Sequence, residues 1–198
     1  MDPTSHTLLQ QIQAKPGDSW MRLDSIYRPF LYRWLRKHGI EHSDAEDLVQ
    51  EVLMAVAGEL PGFVHSGRPG AFRHWLRTIA LHRAQAFWRA RSLRARVAGG
   101  TEFQEFLERW QDPDGRLRQE WDREHDRHLL QYLLQQVASE FEPKTMQAFR
   151  RLALEQLPPA EVASELGLTV GAVYIAKSRV LRRLRTLAEG MIDELHFS

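Results

Sequence analysis

Cysteine is missing from all 198 residues, so disulfides and thiolate metal sites are excluded. No apolar run approaches the ~20 residues of a membrane span, so no membrane insertion is expected. The start, Met1-Asp2-Pro3-Thr4, has neither a basic n-region nor an apolar h-region, and a cytoplasmic location is expected. Strand signals are absent too: there is no alternating run and no Asn-Gly hairpin. No P-loop, G-x-S-x-G or dinucleotide fingerprint occurs, and no HExxH. His125 and His128 with Asp122 and Glu124 come nearest to a metal group. H-x-x-H on a charged helix is weak support for one, and neither a metal nor another cofactor is expected. The sequence does not read as an enzyme.

Charge of one sign is also missing, locally. The chain has 27 Lys and Arg against 26 Asp and Glu, a net charge of +1 that hides strong segregation. Glu41 to Glu59 holds six acids and no Lys or Arg. Pro61 to Gly100 holds eight arginines and no Asp or Glu, with Phe63, Phe72, Trp75, Phe87 and Trp88 among them. Glu102 to Asp126 returns nine acids against four arginines, and Gly167 to Ala188 is purely basic. Solvated faces normally mix signs, so these blocks suggest at least two kinds of partner surface.

What is present is helical periodicity. Leu8 to Gln13 starts a short helix. Asp18 or Ser19 can cap the next, in which Trp20, Leu23, Ile26, Tyr27, Phe30, Leu31, Trp34 and Leu35 keep helical spacing. Pro29 should kink that run or mark a boundary, and Gly39 stops it. Ser43 and Glu46 match a capping box for a helix over about Asp44–Glu59. Leu48, Val52, Leu53, Val56 and Leu60 would face inward, with Asp44, Asp47 and Glu51 outward and Glu46 and Gln50 beside them. Acids in a first turn suit the helix dipole, but that does not account for Glu51.

In the acid-free stretch, Phe72, Trp75, Leu76, Ile79, Ala80, Ala84 and Phe87 fall on one helix face, with Arg73 and Arg77 opposite. Arginine suits phosphate and planar groups, and aromatic rings stack on unpaired bases. Thr101 to Asp126 reads as a linker with one short helix (Phe103, Phe106, Leu107, Trp110). Helices over about Leu117–Phe141 and Lys144–Glu155 follow. Pro159 to Leu166, the turn Gly167-Leu168-Thr169 and Val170 to about Leu187 have helix-turn-helix spacing: a small Ala163, a Gly in the turn, and Val173 six residues later. The second helix would present Tyr174, Ile175, Ser178, Arg179 and Arg182 outward, and the major groove accepts one such helix. A plain helical hairpin is the alternative.

These segments together resemble the extracytoplasmic-function group of sigma-70 initiation factors, over nearly the whole length. Asp44-Ala45-Glu46-Asp47-Leu48-Val49-Gln50-Glu51-Val52 resembles region 2.2, which in the family grips the β′ coiled coil of RNA polymerase. The resemblance implies core-polymerase contacts at Asp44, Glu46, Asp47, Gln50 and Glu51. Phe63, Ala71-Phe72, Trp75-Leu76, Ile79-Ala80 and Ala84 resemble region 2.3 into 2.4, which opens the −10 element and captures an unstacked base. That implies −10 contacts at Phe63, Arg68, Phe72, Arg73, Trp75, Arg77, His82 and Arg83. Leu157 to Arg185 resembles region 4, which reads the −35 element and meets the β flap, implying Thr169, Tyr174, Ile175, Ser178, Arg179 and Arg182. The loop His65–Gly70 is longer than the family's usual one, and His82 stands where Asn is common. Tyr174-Ile175-Ala176 replaces more polar residues, and Pro158 takes the place of a capping Ser or Thr.

The expectation is therefore an all-α protein with two small helical domains. Residues 1–98 form a region 2-like domain, 99–125 a linker and 126–198 a region 4-like helix-turn-helix domain. Core RNA polymerase and promoter DNA are the implied partners, with room for an anti-sigma factor. A helix-turn-helix repressor or activator that binds DNA without polymerase is the alternative, and the acidic block Glu41–Glu59 favours the polymerase reading.

Overall fold

A computed structural model describes residues 16–64, 70–95 and 115–189, and every regular element among them is helical. In order these are α1 (Pro16–Lys37), α2 (His42–Glu59), a 3-10 turn (Leu60–Gly62), α3 (Ala71–Ala95), α4 (Arg116–Ala138), α5 (Pro143–Phe149) running into a π turn (Arg150–Leu154), α6 (Pro159–Leu166) and α7 (Val170–Glu189). The all-α expectation holds. The chain divides into two compact units between His128 and Leu129, inside α4.

The first unit is built on α1. Leu23, Ile26, Tyr27, Phe30, Leu31, Trp34 and Leu35 make one buried stripe on it; the helix packs against α2, and Tyr27 meets Phe72 of α3. The helix is described from Pro16 onward, so Asp18 and Ser19 lie inside it and not at its start. It also runs through Pro29, where a break was expected. Pro29 is exposed, so water can meet the Ser25 carbonyl that lacks an amide partner. The chain leaves α1 through Gly39, whose φ of +87° places it in the left-handed region.

Helix α2 starts two residues before the expected position. Glu41 takes the N-cap place without a side-chain bond, and Ser43 lies within the helix, so the Ser43–Glu46 capping box does not form. The first turn closes through the Ala45 amide on the Glu41 carbonyl at 2.8 Å. Leu48, Val52, Leu53, Val56 and Leu60 are buried as the spacing predicts, and Ala45 and Val49 join them. On α3 the inward residues are Phe72, Leu76, Ile79, Ala80, Ala84 and Trp88. Trp88, not Phe87, continues the buried stripe.

The expected linker 99–125 differs most. Residues 96–114, where a short helix around Trp110 was expected, lie outside the described residues, as does Leu8–Gln13. From Arg116, however, the chain is already α4 and belongs to the first unit. Leu117, Trp121, His125 and His128 form a buried stripe at i, i+4, i+8 and i+11. Trp121 meets Phe30 and Trp34 edge-on, with centroids 4.8 and 4.7 Å away. His125 stacks on Tyr27 at 5.8 Å. The physical reason is burial: a Trp at this spacing gains more against an aromatic core than in water.

His128 is fixed by two hydrogen bonds. Its Nε2 donates to the Ile26 carbonyl at 2.5 Å, and its Nδ1 accepts from Arg33 Nη2 at 2.5 Å. Arginine has no acceptor, so this geometry requires the neutral Nε2–H tautomer. Burial first, and then the Arg33 charge, lower its pKa against the bond to Ile26, which raises it. The unfolded chain therefore takes up a proton near the ordinary value of about 6.5, while the folded chain does not until lower pH. Stability should fall as pH drops below that value. Urea melts of wild type and His128→Gln at pH 7.5 and 5.5 check this: wild type should lose more between the two pH values, and equal losses would contradict it.

The second unit is closed around Ala148, Val162, Ala163, Val173 and Ala176, with Leu152, Leu157, Leu166 and Leu168 packed on them. The helix expected over Lys144–Glu155 changes to π geometry after Phe149. Gln156 then takes φ +57° and turns the chain into Leu157.

Candidate nucleic-acid and partner interfaces

Three surfaces gather the residues singled out from the sequence. The first is the outer face of α2. Glu46, Asp47, Gln50 and Glu51 are exposed, and Asp44 is half-buried. Asp44 accepts from Arg91 Nη1 at 2.8 Å, and Glu41 lies 3.7 Å from the same guanidinium. Gln50 accepts from Arg28, which is itself forked onto Asp24 at 2.7 and 2.9 Å. Glu46 stands 3.9 Å from His42. Asp47 and Glu51 have no ion pair among the described residues, and they sit one turn apart. Met54, 65% exposed, continues their stripe at i+7. Sequence reasoning missed Met54, though its position on the stripe was legible. The face is thus two uncompensated carboxylates with an apolar neighbour, flanked by acids already paired within the fold.

The second surface lies at the start of α3. Phe63, Phe72 and Trp75 form one aromatic group, with Trp75 4.7 Å from Phe63 and 5.5 Å from Phe72. Phe72 is fully buried and rests on Tyr27 at 5.4 Å, while Phe63 and Trp75 are partly exposed. Phe72 is therefore the floor, and Phe63 and Trp75 offer the open ring faces. His82 and Arg83 are exposed further along the helix. Arg68 lies outside the described residues.

Arg73 and Arg77 depart from the expected cationic face. Arg73 binds Asp122 at 3.1 Å and Asp126 at 2.5 Å, both on α4. Arg77 is only 7% exposed and donates to His74 Nδ1 at 2.9 Å. Burial first, and the Arg77 and Arg118 charges after it, lower the His74 pKa, which keeps the ring neutral as this acceptor role needs. These arginines were read as outward because residues up to 125 were assigned to a linker; the helix over about Leu117–Phe141 was expected, but its ion pairs to Arg73 were not. The same error made His125 and His128 look exposed. They are buried, and no group of three metal-binding side chains occurs among the described residues.

The third surface is α7. Gly167, at φ +58°, ends α6 in the left-handed conformation, and the Leu168 amide returns to the Ala163 carbonyl at 2.8 Å. Thr169 Oγ1 accepts from the Ala172 amide at 3.1 Å and so caps α7 as expected. Pro158 precedes α6 without a side-chain cap. Val173, Ala176, Val180 and Leu184 face the core. Tyr174 and Ile175 are 53% and 61% exposed, and Ser178, Arg179 and Arg182 are exposed beside them. Tyr174, Lys177, Ser178, Leu181, Arg182 and Arg185 line one shallow groove along the helix. Arg183 is instead forked onto Glu140 at 2.6 and 2.8 Å, and Arg179 lies over Phe141 at 5.7 Å. The exposed row is polar and basic with two large apolar side chains, a surface suited to base edges and thymine methyls.

A family model described as Sigma-70 region 2 matches residues 23–94. The chain is similar to the RNA polymerase sigma-E factor of Streptomyces antibioticus, 29% identical over 142 residues, or 72% of this chain and 69% of that protein. It is also similar to the ECF RNA polymerase sigma factor BldN of Streptomyces coelicolor, 25% identical over 187 residues, or 94% of this chain and 66% of that protein. Among solved structures, the RsbN-BldN complex aligns at 21% identity and TM-score 0.33, covering 90% of this chain and 98% of that one. CnrH with the cytosolic domain of CnrY aligns at 21% identity and TM-score 0.35, covering 91% and 94%.

Proposed function

Because the chain belongs to the extracytoplasmic-function group of the sigma-70 family, we propose that its two units divide the work of promoter recognition. It is a sigma factor, directing transcription initiation with RNA polymerase. In the first unit, Asp47 and Glu51, with Glu46 beside them, dock on the polymerase β′ coiled coil. Asp44 and Gln50 support that face through Arg91 and Arg28. Phe63 and Trp75 stack on the opened −10 strand over the buried Phe72, and His82 and Arg83 continue along the same helix. In the second unit, Tyr174, Ile175, Ser178, Arg179 and Arg182 enter the major groove at the −35 element, and Thr169 sets the start of their helix. Two weak DNA readers in one chain gain effective concentration on a two-part promoter. The protein works in the cytoplasm, where polymerase and promoter are.

The observation that carries this reading is the pair Asp47 and Glu51: exposed carboxylates, without ion pairs among the described residues, on the chain that also presents the α7 row. A DNA-binding regulator acting without polymerase has no use for that face. Run-off transcription with purified core polymerase on a pool of promoters from the source genome tests it. Defined transcripts that require the protein are the expected result. No transcripts, with DNA shifted by the protein alone, would replace this reading with a helix-turn-helix regulator.

A further inference from the structure

The N-terminal half of α4 is anchored and charged on different sides. Trp121 and His125 sink fully into the aromatic core of α1. On one flank, Glu120 and Glu124 hold Lys37 at 2.7 and 3.0 Å. On the other, Asp122 and Asp126, one turn apart, both hold Arg73 of α3. Gly70 makes room for this: a Cβ there would stand 2.8 Å from Arg73 Nη2. Arg77, the next cation along α3, is buried.

We propose that residues 116–128 are an intramolecular competitor for nucleic acid, with Asp122 and Asp126 occupying on Arg73 the place that backbone phosphates of the opened strand take in the initiating complex. The inference rests on the assignment of α3 to the −10 strand. Both contacts on Arg73 are charge-assisted hydrogen bonds from one guanidinium to two carboxylates, the same chemistry a guanidinium uses on phosphate. The carboxylates keep 36% and 52% of their side-chain surface in water, so they can part from Arg73 while Trp121 stays seated. The first unit therefore holds a cation of its strand-binding helix out of use until polymerase presents a DNA strand that outcompetes the carboxylates. This gives a physical basis for low affinity toward DNA before the polymerase complex forms.

The test is fluorescence anisotropy of the full chain with a labelled, mixed-sequence single-stranded 20-mer over a salt series. Asp122→Asn with Asp126→Asn should bind about 3- to 10-fold tighter than wild type, since half-exposed ion pairs carry modest energy. Its log–log salt slope should steepen by about 0.7, one added phosphate contact on a single strand. Adding Arg73→Ala should cancel both gains. Equal affinity of double variant and wild type would overturn the proposal. So would a gain that survives Arg73→Ala, because added net charge alone then explains it. A thermal melt of each variant guards against loss of fold, and Asp126→Asn alone, expected to give part of the gain, stands in if the double variant melts early. Run-off transcription separates the two levels: transcripts with wild type but no effect of the substitutions reject the competitor and leave the sigma assignment standing.

Discussion

Trp121→Ala should cost the first unit about 3–5 kcal/mol, the usual price of truncating a buried Trp. The residue is fully buried and closes an aromatic cluster with Phe30 and Trp34, whose edge-on pairs add to its burial. Trp110, also between Gly100 and Asp126, is the instructive comparison, because both tryptophans fall in the stretch read as a linker. On that reading, truncating Trp121 would be nearly neutral, as surface changes usually are within about 0.5 kcal/mol. Urea unfolding followed by the near-UV signal of the full chain decides between them. A midpoint within error of wild type would show that α4 does not complete the first core. The loss should also reach Arg73 and Lys37, whose carboxylate partners ride on the same helix. Single-stranded DNA binding by the destabilised chain would then rise because the ion pairs on Arg73 are lost together with the helix.

How much of this was legible in advance depends on where each signal resides. Helices α1, α2 and α3 were readable because their buried residues recur at helical spacing within one segment: Leu48, Val52 and Val56 declare their own inner face. The helix-turn-helix was readable because its constraints are local, in Ala163, Gly167, Thr169 and Val173. Caps were less so. Ser43 and Glu46 had the right spacing, but the helix starts at His42, and packing fixed the start rather than the box. The larger miss, the carboxylate partners of Arg73, is a long-range matter. The salt bridge from Arg73 to Asp126 joins residues 53 apart. Charge blocks announced that an acidic segment and a basic segment both exist, and partner surfaces were inferred from each. That the 102–126 block in part neutralises the 61–100 block within the chain is a tertiary fact. One local clue was available: Leu117, Trp121, His125 and His128 make a stripe that a tether does not need. The α2 acids are the contrasting case. Their block is uncompensated in sequence, and at Asp47 and Glu51 it stays uncompensated among the described residues.

That contrast sets the second large effect. Asp47→Arg with Glu51→Arg should weaken core polymerase binding at least about 100-fold, near 2.7 kcal/mol, while leaving the fold intact. Reversal is chosen over neutralisation because like charges brought together at an interface cost several kcal/mol, whereas a lost rim pair costs little. The fold should tolerate it, since both residues are exposed and hold no ion pair among the described residues; the melt should shift by less than about 0.5 kcal/mol. Asp44→Arg would be a poorer probe, because it also breaks the bond to Arg91 and sets two cations against each other. Core binding measured by interferometry, beside a melt of the same preparation, checks both halves. Salt dependence adds a third reading: wild-type affinity should fall as salt screens the α2 face, and the reversed variant should lose that dependence. Undiminished affinity of a folded double variant would place the polymerase contact elsewhere, and Met54, on the same stripe but uncharged, would then be the next residue to truncate.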